Sequence, residues 1–294
     1  MPGSSESVLR LHFPSWQGGD NPDYLIGGKV LAAIAPEVSG PVEEIRIDRP
    51  ADKTRLVENG IVSRTVLLQQ TRAAHAAIAR HQPSAIVTLG GDCLVDFAPM
   101  AYLSARYSDD LAVLWIDAHP DVIGPAPSQH AHAFVVSLLM GEGDPDLIES
   151  VSKKLSAKDI LYVGLTETTP REAEIINGYN ISRLSPEALG GSSEKVLEWL
   201  RLRGAKHVAV HFDVDVLNPG EHDFLSYTAP DVVGSATEPV GIGRMKWSRV
   251  ATILNDVAAE FDLVGLAITE YLPWSVITFA KSLEDLPLLG KAQK

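Results

Sequence analysis

The stretch Leu111 to Asp121, LAVLWIDAHPD, constrains the fold of this chain more than any other. Its apolar run, Leu111 to Ile116, reads as a buried strand, and Asp117, His119 and Asp121 follow at once. Side chains two apart in extended chain point the same way, so the alternation aims two carboxylates and an imidazole at one spot. Crowding three such groups is costly unless a cation holds them. A strand that ends in a polar loop, with His119 hydrogen-bonded at the surface, is the competing explanation.

Similar apolar runs recur along the chain. Ala85 to Leu89, Ile160 to Leu165, His207 to Phe212 and Leu263 to Ile268 read as strands. Between them, helical periodicity predicts helices over Ile61 to His81, Asp96 to Tyr107, Ser193 to Arg203 and Trp247 to Phe261. Strands alternating with helices of this size indicate βαβ units and a parallel sheet covered on both faces. The expected fold class is therefore α/β, a three-layer α/β/α domain with a mainly parallel central sheet. With 294 residues, one large domain or two small ones would fit, and nothing interrupts the alternation, so 1–294 reads as a single domain. Residues 1–60 are the least legible. There His12 to Trp16 followed by Gly18-Gly19 looks like a strand leaving into a loop.

Ligands of open α/β sheets bind outside the carboxyl ends of the strands. Four such ends carry candidate groups: Asp92 and Cys93; Asp117, His119 and Asp121; Asp213 and Asp215; and Glu270. Each item alone is weak, but all fall at the same topological position. Cys93, Asp117, His119, Asp121, Asp213 and Asp215 make six candidate ligands, more than one tetrahedral Zn²⁺ takes and suited to two ions sharing carboxylates. A carboxylate-rich set with one imidazole favours a hard or borderline cation such as Mn²⁺.

Charge narrows the partners. The net charge of -13 and the lack of any Lys/Arg-rich run exclude the electrostatic attraction that nucleic acid binding needs. No apolar run approaches the length of a membrane span. MPGSSESVLR lacks the basic and apolar regions of a signal peptide, and the single cysteine, Cys93, fits a reducing compartment, so a cytoplasmic location is expected.

The strand-end motifs resemble the ureohydrolase (arginase and agmatinase) family over roughly residues 85–275. Family members carry G-G-D-H, D-A-H-x-D, a loop with Ser, Asn and His, and D-x-D-x-x-x-P. Here these read Gly90-Gly91-Asp92-Cys93, Asp117-Ala118-His119-Pro120-Asp121, Ser128 to His132, and Asp213-Val214-Asp215 through Pro219. The resemblance implies an arginase-like domain with two Mn²⁺ ions. Cys93, Asp117, Asp121 and Asp213 would hold one; Asp117, His119, Asp213 and Asp215 would hold the other. His132 corresponds to the proton-shuttling loop histidine and Glu270 to the carboxylate that meets the substrate guanidinium. Implied too are hydrolysis of a linear guanidine or amidine C–N bond by metal-bound hydroxide, a small-molecule guanidino-type substrate, and a homo-oligomer, trimer or hexamer.

Three departures qualify that expectation. Cys93 stands where the family has histidine. It either ligates directly, with another divalent metal or a weaker Mn²⁺ site, or leaves a single ion in place, or marks lost activity. A cysteine there also resembles an arginase-like hydrolase acting on Nω-hydroxyarginine, so hydroxyguanidine and formimino compounds are alternative substrates. A catalytically silent binding or oligomer subunit is a further alternative; a one-Zn²⁺ deacetylase of related fold lacks the second D-x-D pair. Secondly, Ile123 replaces the Asn that contacts the carboxylate of arginine, and the loop Ser128-Gln129-His130-Ala131-His132 is two residues shorter, with His130 either a substrate contact or a surface residue. Thirdly, in the segment that binds the far end of the substrate, Thr166 replaces the usual Arg. Glu167 and Glu172 remain there, either to bind an ammonium group or as ordinary acids at a helix start. Gly220 to Gly243 reads as a lid or rim loop. The second and third departures concern recognition of the substrate's end, which argues against plain arginase activity.

Overall fold

The computed structural model describes residues 7–48, 55–124, 128–228, 241–274 and 276–289. Its main sheet contains β1 (Val8–Phe13), β2 (Val42–Glu44), β3 (Ala85–Gly90), β4 (Leu111–Ile116), β5 (Ile160–Val163), β6 (Ser182–Leu184), β7 (His207–Asp213) and β8 (Asp262–Thr269). The eight strands lie in the order β2-β1-β3-β8-β7-β4-β5-β6, and every neighbouring pair is parallel. Parallel neighbours need crossovers, and helices such as Arg64–His81, Phe97–Tyr107, Glu194–Arg203 and Trp247–Glu260 supply them.

Alternation within β4 feeds two separate cores. Leu111, Val113 and Trp115 pack with residues of Arg64–His81 and Phe97–Tyr107, whereas Ala112, Leu114 and Ile116 pack with residues of Glu194–Arg203 and Trp247–Glu260. A strand buried on both faces has no position for a polar side chain, which is why its sequence is apolar throughout. The result is the expected three-layer arrangement.

Boundaries differ from expectation where local backbone intervenes. The helix begins at Arg64 rather than Ile61, because Ile61–Val62 pairs with Val57–Glu58 as a short hairpin and Ser63 turns the chain at φ 56°. β5 stops at Val163 because Gly164 takes φ 91°. Half of the expected rim loop, residues 229–240 of Gly220 to Gly243, lies outside the described residues.

A helix at Asp23–Ile34 was not expected from the sequence. Gly27 and Gly28 sit inside it, at a cost of roughly 1 kcal/mol each relative to alanine. Close approach explains them: a Cβ on Gly27 would lie 1.9 Å from the Tyr271 carbonyl oxygen, and one on Gly28 would lie 2.8 Å from that of Gly90. Packing against the strand ends outweighs propensity here, and it brings Tyr24 to the end of β8.

The strands that matter most are consecutive in the sheet. β3, β8, β7 and β4 lie side by side, with Leu89 beside Ile268, Thr269 beside Asp213 and Phe212 beside Ile116. Their carboxyl ends carry Cys93, Glu270, Asp213 and Asp117, so groups far apart in sequence meet at one place. Among the described residues, no helix is long and apolar enough to cross a membrane.

Candidate metal centre

Two aspartates anchor the cluster through the same local turn. Asp117 Oδ1 accepts from the His119 backbone N–H at 2.6 Å, and Asp213 Oδ1 accepts from that of Asp215 at 2.7 Å. An aspartate that bonds the backbone two residues on stabilises its own turn and fixes the direction of the carboxylate. The second oxygens are held as well. Asp117 Oδ2 accepts from Trp115 Nε1 at 3.1 Å, and Asp213 Oδ2 from Cys93 Sγ at 2.9 Å. His119 Nδ1 lies 2.9 Å from Asp215 Oδ2.

These groups open on a cavity of about 130 Å³ lined by Cys93, Asp117, His119, Asp121, His132, Ala133, Glu172, Asp213, Asp215 and Glu270. All six residues expected as ligands are therefore brought together. Among the described residues, six carboxylates line the cavity and no lysine or arginine does. A larger groove of about 510 Å³ beside His75, Tyr102 and Arg106 gathers no comparable set of groups.

His132 and Glu270, expected as catalytic, meet across the cavity. His132 Nδ1 lies 2.9 Å from Glu270 Oε1, while Glu270 Oε2 accepts from the Tyr24 hydroxyl at 2.6 Å. Cys93 Sγ is 3.5 Å from Glu270 Oε1. Glu270 and Asp121 both occupy the left-handed backbone region, at φ 60° and 49°, which costs of order 1 kcal/mol or more for each. Hydrogen bonds from the Glu270 N–H to the Gly91 carbonyl and from the Val136 N–H to the Asp121 carbonyl hold these turns in place.

The residues expected to bind the far end of a substrate divide. Glu172 lines the cavity, and its Oε2 also accepts from the Thr169 N–H at 2.6 Å as part of a capping box. Glu167 is exposed and ion-paired with Arg244. Ser128 accepts from the His130 N–H at 3.2 Å, and the His130 ring lies edge-on to His132 with centroids 6.3 Å apart. Ser128, His130 and Glu167 are not among the cavity-lining residues.

Three neighbours of the cluster were missed from sequence. Tyr24 lay in the illegible N-terminal stretch. His211 was read as part of the body of a strand, and Asp96 as the start of a helix. His211 is fully buried, stacked on Trp115 at 3.7 Å, with Nδ1 3.2 Å from Asp96 Oδ2 and Nε2 3.4 Å from Thr269 Oγ1. Its place two residues before Asp213, and so on the same side of the strand, was the available signal.

Electrostatics and satisfaction both indicate a missing positive charge. Burial, reinforced by neighbouring carboxylates, pushes the Asp121 and Asp213 carboxyls well above the usual range. Burial and the charge of Asp213 likewise raise the Cys93 thiol. Asp215 runs the other way: burial would raise it, but the neighbouring His119 outweighs burial and lowers it. Asp121 Oδ2 and Asp215 Oδ1 are buried with no hydrogen-bond partner among the described residues. An unsatisfied buried acceptor costs about 1–3 kcal/mol, and more when charged. Divalent cations would relieve both orphan oxygens and displace the protons that the cluster otherwise retains, so the residues fit a metal centre.

Comparison with known proteins agrees with this geometry. The family model described as "Arginase family" matches residues 41–275. The arginase of Eremothecium gossypii is 28% identical over 294 residues, covering 91% of this chain and 69% of that one. Among solved structures, the arginase of Bacillus caldovelox superimposes with a TM-score of 0.80 at 18% identity, covering 99% of this chain and 100% of that one. The formimidoylglutamase of Bacillus subtilis superimposes with a TM-score of 0.67 at 14% identity, covering 94% and 83%. Both superpositions concern the fold, and the family match concerns the sequence that builds the cluster. With fold, strand-end cluster and sequence in agreement, the chain belongs to the arginase family of hydrolases.

Proposed function

We propose that this chain is a metal-dependent hydrolase of a linear guanidine- or amidine-type C–N bond, releasing urea or a urea-like product and an amine. The observation that carries the reading is the pair Asp117 and Asp213, each aimed by its own turn into one cavity that also holds His132 and Glu270. Two Mn²⁺ ions fit the donors. Cys93, Asp117, Asp121 and Asp213 would hold one and Asp117, His119, Asp213 and Asp215 the other, with the two shared aspartates bridging. When bound, such ions supply Lewis acidity and activate a water at neutral pH.

The remaining steps belong to the chain's own side chains. A lining rich in carboxylates, with no lysine or arginine among the described residues, favours a cationic substrate over an anionic one. Tyr24 fixes Glu270 through Oε2, leaving Oε1 to face the guanidinium and to orient His132. Burial would lower the His132 pKa, but the hydrogen bond and charge of Glu270 raise it overall, so the imidazole keeps a proton for the leaving nitrogen to higher pH than a free histidine would. Glu172 lines the cavity and offers its carboxylate to an amino group at the far end of the substrate.

Cys93 favours one second reading within the same chemistry, a hydroxyguanidine or formimino substrate, because it alters the donors of one ion while the other donors keep the family residue types. A single domain over 1–294, a cytoplasmic location and a homo-oligomer, trimer or hexamer, complete the proposal. The test is a panel of guanidino, hydroxyguanidino and formimino compounds incubated with the full chain and either Mn²⁺ or Zn²⁺. Urea, hydroxyurea or formamide should appear with one class. No product from any compound, together with no bound metal, would identify a catalytically silent relative and overturn the reading.

A further inference from the structure

One group of potential donors around Cys93 includes a residue outside the four strand-end motifs. One ligand atom each from Cys93, Asp117, Asp121 and His211 lie within 4.8 Å of one another, and all four residues are buried. Donors around a single ion at about 2.0–2.3 Å are separated by roughly 3–4.6 Å, so little movement would bring these four to one centre. His211 Nδ1 faces Asp96 Oδ2 at 3.2 Å, which turns Nε2 toward the cluster, 3.9 Å from Asp117 Oδ2. A carboxylate behind one ring nitrogen, with the other nitrogen aimed at the ion, is the usual way that a metal-binding histidine is oriented. Stacking on Trp115 holds the ring in that plane. Asp121 Oδ2 supplies an independent sign of a ligand, since it is buried among these donors without a hydrogen-bond partner among the described residues.

We infer that His211 joins Cys93, Asp117, Asp121 and Asp213 as a metal ligand, making the first of the two sites a mixed thiolate–imidazole–carboxylate centre that selects Zn²⁺ or Co²⁺ over Mn²⁺. The inference rests on the metal-dependent reading above and goes beyond it. A cysteine alone would exchange one ligand for a softer one. A cysteine with an added imidazole changes the character of the whole site, because thiolate and imidazole suit borderline ions while carboxylate sets suit Mn²⁺. The second site, with His119 and three aspartates, keeps the harder donor set. His211 thus has a different task from that of a buried residue merely satisfied by Asp96. Asp96 becomes a positioning residue that acts through the imidazole.

The full chain loaded with Zn²⁺ and studied by X-ray absorption tests this, using the His119→Ala/His132→Ala variant so that His211 is the remaining imidazole at the cluster. One sulfur and one imidazole in the zinc coordination sphere are expected. A sulfur without imidazole would overturn the inference. In parallel, His211→Ala should weaken Zn²⁺ at the thiolate-bearing site by at least about a hundredfold, and Asp96→Asn by about tenfold, with the His119 site unchanged in both. Co²⁺ bound to the unsubstituted chain should give a thiolate charge-transfer band that Cys93→Ser abolishes. Unchanged Zn²⁺ affinity in folded His211→Ala would also overturn the inference; if that variant does not fold, the absorption data on the double variant decide. No metal bound by the unsubstituted chain would refute the metal-dependent reading itself, a different outcome from two metals bound without His211.

Discussion

The two halves of the ligand cluster are built differently. Around Asp117, His119, Asp213 and Asp215, each anchoring aspartate is aimed by a hydrogen bond from the backbone two residues on, and His119 joins Asp215 directly. That half is local: short motifs at the ends of β4 and β7 determine it almost alone. Around Cys93 the supports come from distant parts of the chain. Tyr24 arrives on the helix Asp23–Ile34, and His211 from inside β7, where it meets Asp96 three residues beyond Cys93. Local construction leaves the chemistry fixed, whereas assembly from distant parts allows the donors of one ion to change without disturbing the other. On the proposed two-ion reading, this difference would let one metal site change while the other keeps its donors.

The largest effect that would sharpen this comparison comes from the shared residues. Asp117→Ala or Asp213→Ala should abolish activity at saturating metal, since each removes a ligand from both ions; near-normal turnover in either variant would dissolve the two-site assignment. Next comes His132→Ala, expected to lower kcat by about 10²–10⁴ while leaving metal content unchanged. A loss of metal instead of rate would move His132 into the coordination sphere. Cys93→His should strengthen Mn²⁺ at one site by about tenfold or more and leave the other as it was. If equilibrium dialysis finds both affinities unaltered, Cys93 is no ligand.

A smaller effect concerns pH. Burial raises Asp92 to about 6 from an unfolded value near 3.8, and it raises Asp121 and Asp213 as well. A carboxyl with a raised folded pKa binds more protons folded than unfolded, so its contribution is fully present below about pH 4 and is lost as pH rises through the folded pKa. Burial lowers His211 to about 3 from 6.5, so its contribution runs the other way and is gained over the same range. The sign to measure is therefore the stabilisation that Mn²⁺ or Zn²⁺ adds, which should grow between about pH 4 and pH 7 because the ions bind the deprotonated cluster. Melting curves with and without chelator check this; a metal-induced stabilisation that shrinks over that range would contradict it. The smallest effect is at Tyr24. Tyr24→Phe removes one hydrogen bond to Glu270 and should cost a few-fold in kcat/KM with both metals retained, read by steady-state kinetics.

How much was legible beforehand follows the same division. The parallel sheet and the clamp of Asp117 and Asp213 could be read from apolar runs that end in D-x-H-x-D and D-x-D, because strand, turn and ligand are adjacent in the chain. The helix Asp23–Ile34 could not, since Gly27 and Gly28 weaken its helical signal and their reason, the approach of the Tyr271 and Gly90 carbonyls, is tertiary. Short edge strands such as Val42–Glu44 and Ser182–Leu184 carry too few residues to show a period. His211 was hidden for a different reason: a polar residue inside an apolar strand is visible, but its partner Asp96 lies 115 residues away. Glu167 illustrates the reverse limit, an acid in the expected segment that the fold turns outward to Arg244.

The central claim is that Asp117 and Asp213 bridge two ions in one cavity. The most direct measurement is the metal content of the full chain after dialysis against Mn²⁺ and Zn²⁺, counted for the unsubstituted protein and for Asp213→Ala. Two ions per chain, with both lost in Asp213→Ala, is the predicted result. A single ion in the unsubstituted chain, or an unchanged count in Asp213→Ala, would contradict it.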